Sequence, residues 1–167
     1  MIKILFVCHG NICRSPMAEF VMKDLVKKAG LEEAFEIASA ATSSEEIWGG
    51  RGNPVYPPAR RKLMENGINP GGKRARKTTR DDYERFDHLV GMDHANIRNM
   101  ERIYGGDPEG KISLLLDYCG RTGQEVADPW YTGDFDATWR DVVQGCTALL
   151  DTLLADAEAA GYKAGIK

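Results

Sequence analysis

The segment Cys8-His9-Gly10-Asn11-Ile12-Cys13-Arg14-Ser15 separates an apolar run at residues 2–7 from Pro16. The run is apolar almost throughout, as expected of a central strand in a parallel sheet. Ser15 and Pro16 predict the start of a helix, since proline is tolerated in the first turn. A strand, a tight loop and a helix N-terminus in this order predict an anion site, because amide N–H groups converge there and the helix dipole adds positive potential.

Within this segment a thiol and an arginine bracket five residues. Arg14 can fork onto two oxygens of a phosphate, and the same positive potential favours the reactive thiolate of Cys8. Gly10 allows a close turn of the backbone around a ligand. The predicted phosphate-binding loop comprises His9, Gly10, Asn11, Ile12, Cys13, Arg14 and Ser15.

Three residues of the loop have more than one interpretation. The Ser15 hydroxyl can donate to the Cys8 sulfur or can cap the helix. Asn11 is a residue that tolerates a left-handed backbone and can brace the loop with its amide, or it is an ordinary turn residue. Cys13 is either an apolar loop position or a partner that forms a protective disulfide with Cys8.

Strands and helices alternate along the rest of the chain. This alternation predicts an α/β fold with three layers, in which a four-stranded parallel sheet has helices on both faces and right-handed crossovers restrict the order of the strands. In such a sheet the ligand lies beyond the carboxyl ends of the strands, where the Cys8 loop begins. We expect one domain, residues 1–167, with strands at 2–7, 35–38, 88–92 and 111–116 and a last helix at 135–160.

Composition excludes several classes of function. The net charge of −3 argues against broad nucleic-acid binding, and no apolar stretch approaches the roughly 18 residues that a membrane span needs. The start of the chain does not resemble a signal peptide, so we expect a cytoplasmic protein with reduced thiols. The spacing of the four cysteines is not that of a zinc site. Neither a metal nor a cofactor is expected, and Cys119 and Cys146 are interpreted as structural.

A candidate general acid lies far along the chain, in the segment Asp128-Pro129-Trp130-Tyr131. A carboxyl on a loop can protonate a leaving group and then accept a proton from water. Pro129 restricts the backbone beside Asp128 and helps to aim the side chain. Two bulky aromatic residues in a glycine-flanked loop indicate a substrate loop, with Trp130 and Tyr131 beside the acid.

With these residues in view, the chain resembles the low-molecular-weight protein tyrosine phosphatases. The segment from Val7 to Glu19 follows the family's signature loop and helix start, and the Asp128 segment matches its acid loop. Gly91-Met92-Asp93 with Asn96 matches a third family motif. The resemblance runs from Ile2 to about Leu154, and it implies a sheet of flavodoxin-like order 2-1-3-4.

The resemblance implies a reaction and a set of roles. It implies hydrolysis of phosphotyrosine in proteins, with inorganic phosphate as product and competitive ligand. Cys8 is then the nucleophile, Arg14 the phosphate-binding arginine and Asp128 the general acid. It further implies a hydrogen-bond network under the loop, formed by Asn11, Ser15 and Ser39, and aromatic walls of the cleft, formed by Trp48, Trp130 and Tyr131.

The chain departs from the family pattern at two positions, and related reactions stay open as alternatives. Ala41 stands where the family has glycine, and Lys73 where it often has histidine. A thioredoxin-coupled arsenate reductase shares the fold but needs a cysteine pair that is missing between Cys13 and Cys119. Arginine phosphatases usually have threonine in place of Ile12. A non-catalytic phosphate-binding or redox-sensing module is the remaining alternative.

Overall fold

The apolar run at the N-terminus forms a central strand in the computed structural model, which describes residues 1–161. In chain order the strands are β1 (Ile2–Cys8), β2 (Phe35–Ala41), β3 (Ile47–Trp48), β4 (Arg51–Gly52), β5 (His88–Gly91) and β6 (Ile112–Leu114). The helices are α1 (Arg14–Lys28), α2 (Pro57–Glu65), α3 (Asp81–Arg85), α4 (His94–Tyr104), α5 (Pro129–Thr132) and α6 (Phe135–Ala159). Short 3₁₀ turns span Glu32–Ala34 and Leu115–Cys119.

The main sheet is parallel and has the order β2-β1-β5-β6. This order confirms the predicted 2-1-3-4 arrangement, because β5 and β6 are the third and fourth strands of that sheet. β1 is central, and its side chains alternate between two buried faces. Ile4 and Phe6 pack with the apolar sides of α1 and α6. Leu5 and Val7 pack with residues of α3 and α4. Helices therefore cover both faces, as the predicted three-layer α/β fold requires.

Four local features differ from the predictions. The second strand continues beyond residue 38 to Ala41, because it pairs with β1 as far as Cys8. The last strand ends at Leu114, because Leu115 and Leu116 turn into the 3₁₀ segment and are fully buried against α6. The Asp128 segment contains the short helix α5, which Asp128 caps by accepting from Trp130 N at 3.0 Å. The β3–β4 hairpin was not predicted at all. The predicted domain boundary at residue 167 lies outside the described residues.

Helix length and composition bear on membrane insertion. None of the helices within residues 1–161 combines the length and apolar character that a bilayer crossing requires.

The segment that follows α2 is fixed to the sheet near the Cys8 loop. Lys77 bridges to Ala41 at the end of β2, and Ala41 N donates to Arg76 O at 2.7 Å. The carboxylate of buried Asp82 holds this segment by accepting hydrogen bonds from the Arg76 side chain, Thr78 Oγ1 and Thr79 N. Burial alone would raise the pKa of Asp82, but these hydrogen bonds outweigh it and lower the pKa.

We expect Asp82→Asn to lower the free energy of unfolding by about 2 kcal/mol at pH 7, since hydrogen bonds to a charged group contribute roughly 1.5–3 kcal/mol. A lowered folded-state pKa means that this stability is present above the unfolded-state pKa and is lost as the pH falls through the folded-state pKa. In urea denaturation, the difference in the free energy of unfolding between the native protein and Asp82→Asn is therefore expected to be smaller at pH 3 than at pH 7. Asp81→Asn, an exposed neighbour, is the control, and a pH-independent difference would contradict the assignment.

Candidate active site

The loop between β1 and α1 turns at Asn11, whose φ is 59°. Among residues 1–161 no other non-glycine residue has a positive φ, and asparagine tolerates this conformation better than most residues. Its side-chain carbonyl accepts from Arg76 N at 3.2 Å, so the segment held by Asp82 also supports the loop. The structure thus places Asn11 in the left-handed conformation that the sequence suggested.

The Cys8 sulfur is buried at the base of this loop. Its Sγ accepts from Asn11 N at 3.3 Å and lies 3.0 Å from Ser15 Oγ. Ser15 Oγ accepts from Asn11 Nδ2 at 2.8 Å, so the single hydroxyl proton of Ser15 is free to point at the sulfur. α1 begins at Arg14 with Cys13 at the N-cap, so Ser15 does not cap the helix. The Asn11 amide and the Ser15 hydroxyl are thus both placed to donate to the sulfur.

A chain of hydrogen bonds continues from this point into the protein. The second hydrogen of Asn11 Nδ2 goes to Ser39 Oγ at 2.9 Å, and Ser39 Oγ donates to Glu19 Oε1 at 2.5 Å. All of these residues are buried. Asn11, Ser15 and Ser39 are therefore brought together as predicted, and Glu19 is an additional member that the sequence reasoning missed.

Lys73 occupies the end of this chain. Its ammonium donates to Ser39 O at 2.9 Å and lies 3.5 Å from Glu19 Oε1. Burial lowers the pKa of Lys73, although the neighbouring Glu19 partly opposes that change. The lysine that replaces the family's frequent histidine thus still reaches the network. Ala41, the other departure, lies in regular strand conformation and needs no glycine.

Arg14 lies at the first turn of α1 and is held by two groups. Nη1 donates to Asp93 Oδ2 at 2.8 Å and to Val126 O at 2.9 Å, whereas Nη2 lies 3.5 Å from Asp128 Oδ2. Burial alone would lower the pKa of Arg14, but Cys8, Asp93 and Asp128 outweigh it and raise the pKa. A permanently charged guanidinium therefore lies next to both the thiol and the candidate acid.

Aromatic side chains support the Asp128 segment. The ring of Trp130 lies 4.9 Å from that of Tyr56, centroid to centroid, and Tyr56 N donates to Ile12 O at 2.9 Å. Trp130 and Tyr131 nevertheless keep 55% and 84% of their surfaces exposed. They are available to contact a flat substrate group.

A cavity of about 140 Å³ brings most of the predicted site together. Residues 8–10 and 12–14 of the loop line it, together with Glu45, Glu46, Asp128, Trp130 and Tyr131. Trp48 is not among these lining residues, and its role as a cleft wall stays a prediction. Its neighbour Ile47 packs against the cluster of Ile12, Cys13 and Ala75. The Trp48 side chain is 73% exposed.

Cys13 is buried beside the nucleophile candidate. Burial raises the pKa of the Cys13 thiol strongly, and Cys8 and Asp128 raise it further, so Cys13 is held in the thiol form. Burial likewise raises the pKa of Cys146 within the core. Cys8, Cys13, Cys119 and Cys146 are all free.

Sequence reasoning missed five residues that support or line the site: Glu19, Glu45, Glu46, Tyr56 and Asp93. Asp93 caps α4 by accepting from Asn96 N at 2.7 Å. Its other oxygen holds Arg14. The Met92-Asp93-x-x-Asn96 motif was the available signal, whereas the others depend on contacts between distant segments. Within residues 1–161 no group of three or more His, Cys, Asp or Glu side chains is arranged to hold a metal ion.

Known proteins resemble this chain over nearly its whole length. The family model for the low molecular weight phosphotyrosine protein phosphatases matches residues 3–159. The low molecular weight protein-tyrosine-phosphatase YfkJ of Bacillus subtilis is 38% identical over 154 residues, covering 92% of this chain and 96% of the relative. The human low molecular weight phosphotyrosine protein phosphatase is 36% identical over 152 residues, 89% of this chain and 93% of the relative.

The likeness extends to three dimensions. The crystal structure of YfkJ superposes with a TM-score of 0.88 at 36% identity and covers 93% of this chain and 96% of its own. Both the sequence match and the fold therefore include the strand, loop and helix that form the site. The chain belongs to the low molecular weight protein tyrosine phosphatase family.

Proposed function

We propose that this protein hydrolyses phosphotyrosine in proteins, and small aryl phosphates, through a phosphocysteine intermediate. The observation that supports the proposal most directly is the convergence of Cys8, Arg14 and Asp128 on one cavity. A nucleophile, a phosphate-binding cation and a proton donor are the three groups that this reaction requires.

In the first step the Cys8 thiolate attacks phosphorus in line with the tyrosyl oxygen. The S–P bond forms as the P–O bond breaks, and Asp128 donates its proton to the departing phenolate oxygen. Arg14 and the amides of the loop and of the first turn of α1 bind the equatorial oxygens. These donors are fixed before substrate arrives, because the loop is held by the Asn11 network.

In the second step water attacks the phosphocysteine. Asp128, now a carboxylate, accepts a proton from that water, and the S–P bond breaks to return the Cys8 thiolate and release inorganic phosphate. The Ser15 hydroxyl stabilises the leaving thiolate from its position 3.0 Å away. Inorganic phosphate occupies the same donors, so it is also a competitive ligand.

The lining of the cavity favours an aryl ester over other phosphate compounds. Ile12 contributes an apolar surface where an arginine phosphatase usually has threonine. Trp130 and Tyr131 offer exposed rings against which a phenyl group can pack. A tyrosyl side chain is also long enough to bring its phosphate down to the buried Cys8, whereas a seryl side chain is much shorter.

A panel of peptides with identical flanking residues tests the proposed function. In metal-free buffer, phosphate release from the phosphotyrosine peptide is expected to exceed release from the phosphoserine and phosphoarginine peptides by at least about 100-fold in kcat/KM. Cys8→Ser is expected to abolish turnover, and Cys119→Ser, away from the cavity, serves as the matched cysteine control. Faster hydrolysis of phosphoarginine, or measurable arsenate reduction, would favour the alternative reactions.

We expect Asp128→Asn to reduce kcat for a phosphotyrosine peptide by about 10²–10⁴-fold, the usual range for a general acid. The loss is smaller for p-nitrophenyl phosphate, whose leaving group needs little protonation. Asparagine still accepts from Trp130 N, so α5 is preserved. Asp134→Asn, which changes the carboxylate that caps α6, is the control. A normal rate on the peptide would show that another group is the acid.

We also propose that the protein acts in the cytoplasm as one domain over residues 1–167.

We further propose that the activity of the protein is reversibly sensitive to oxidation. Peroxide converts the Cys8 thiolate to a sulfenic acid, and attack by the Cys13 sulfur forms a disulfide and releases water. A thiol reductant then restores both cysteines. Both sulfurs lie at the same loop, and Cys8 is near enough to Cys13 to raise its pKa; this proximity, not the raised pKa, supports the pairing.

After mild peroxide treatment, dithiothreitol is expected to restore most of the activity of the native protein. Cys13→Ala is expected to recover much less, because its sulfenic acid has no partner and proceeds to irreversible acids. Mass spectrometry of the oxidised protein identifies the disulfide, with Cys119→Ser as the control. Equal recovery of the Cys13→Ala variant would remove the protective role from Cys13.

A further inference from the structure

Two carboxylates line the cavity without a part in the reaction proposed above. Glu45 and Glu46 belong to the segment that follows β2, and both line the cavity beside the Cys8 loop. Glu46 lies close to the loop backbone, since a Cβ added to Gly10 would be 3.2 Å from Glu46 Cγ. Gly10 has no positive φ, so its missing side chain provides room for Glu46.

Hydrogen bonds hold these carboxylates at the cavity. Glu46 Oε2 accepts from Asn53 Nδ2 at 2.7 Å, and Glu46 O accepts from Asn53 N at 2.8 Å. Glu45 Oε2 lies 2.9 Å from His9 Nε2, and the Glu45 side chain is 70% exposed. Neither carboxylate is neutralised by a lysine or arginine in the described chain, so their charge faces the solvent at the cavity.

The balance of charge around the cavity is therefore negative outside the phosphate position. Among the described lining residues the cations are Arg14 and, only when its ring is protonated, His9. Arg14 is already engaged with Asp93 and is needed by the phosphate. Glu45 and Glu46 supply carboxylates that the proposed reaction does not use. The phosphate dianion of a substrate binds at Arg14. The substrate residues that flank the phosphotyrosine then lie near the negatively charged carboxylates of the cavity.

We propose that Glu45 and Glu46 make this protein prefer phosphotyrosine that is flanked by lysine or arginine and disfavour phosphotyrosine that is flanked by aspartate or glutamate. The inference rests on the proposed function and names its substrate class. Exposed ion pairs are weak individually, so two such carboxylates correspond to a preference of roughly 3–10-fold in kcat/KM. Charges at the edge of a site act mainly on encounter and binding, so the preference lies in KM and weakens with added salt.

The test compares three phosphotyrosine peptides of equal length whose flanking residues are arginine, glutamine or glutamate. The native protein is expected to prefer the arginine peptide to the glutamate peptide by roughly 3–10-fold in kcat/KM, and 0.5 M NaCl reduces this ratio. Glu45→Gln/Glu46→Gln is expected to bring the ratio close to one. Glutamine retains the acceptor for Asn53 Nδ2, so the segment keeps its hydrogen bonds.

The matched control is Glu32→Gln/Glu84→Gln, which likewise removes two negative charges, in this case from exposed residues elsewhere. Glu32 and Glu84 precede β2 and β5, at the end of the sheet away from the cavity. This control is expected to keep the preference of the native protein. Glu45→Gln alone, at an exposed position that tolerates substitution, is expected to shift the ratio in the same direction by a smaller amount.

Two outcomes separate the inference from the function on which it rests. Equal hydrolysis of the three peptides by the native protein, or an unchanged ratio in Glu45→Gln/Glu46→Gln, would overturn the inference and leave the phosphatase activity standing. A native protein that releases no phosphate from any of the peptides or from p-nitrophenyl phosphate would overturn the proposed function, and the inference with it.

Discussion

The left-handed backbone of Asn11 is the constraint on which the geometry of the site depends. With φ at 59°, Asn11 directs its N–H to the Cys8 sulfur and its two amide hydrogens to Ser15 and Ser39. Its side-chain carbonyl oxygen accepts a hydrogen bond from Arg76 N, which fixes the orientation of the side-chain amide. Such a conformation costs free energy in a non-glycine residue, and buried, satisfied hydrogen bonds offset that cost.

The parallel sheet explains how residues distant in sequence reach this loop. The carboxyl ends of β1 and β5 lie side by side. Asp93 comes after β5 and Arg14 comes after the loop that follows β1, so the two side chains meet at this edge of the sheet. Val126 N donates a hydrogen bond to Met92 O, which brings the Asp128 segment to the same edge of the sheet. Arg14 joins the two segments by contacting Asp93, Val126 and Asp128. The topology therefore brings the proposed nucleophile Cys8, the cation Arg14 and the proposed acid Asp128 together without a continuous stretch of sequence.

Local patterns predicted those features that local physics determines. The apolar strand and the loop follow from residue type and spacing, as does the layered parallel sheet from the alternation of strands and helices. The position of Trp48 could not be read in this way, because it depends on Ile47 packing against Ile12 across an unpredicted hairpin. The reach of Lys73 into the Ser39 network depends on how residues 73–78 lie against β2. The positions of the Glu45 and Glu46 carboxylates depend on contacts with His9 and Asn53, respectively.

The rate of alkylation of Cys8 by iodoacetate tests most directly whether this loop holds a thiolate among anion-binding donors. At neutral pH, peptide mapping is expected to find Cys8 alkylated far ahead of Cys13 and Cys146, both of which burial holds as thiols. Millimolar inorganic phosphate is expected to protect Cys8 in a saturable manner, and Asn11→Ala is expected to weaken both the reactivity and the protection. Slow alkylation of Cys8 that phosphate leaves unchanged would contradict the account.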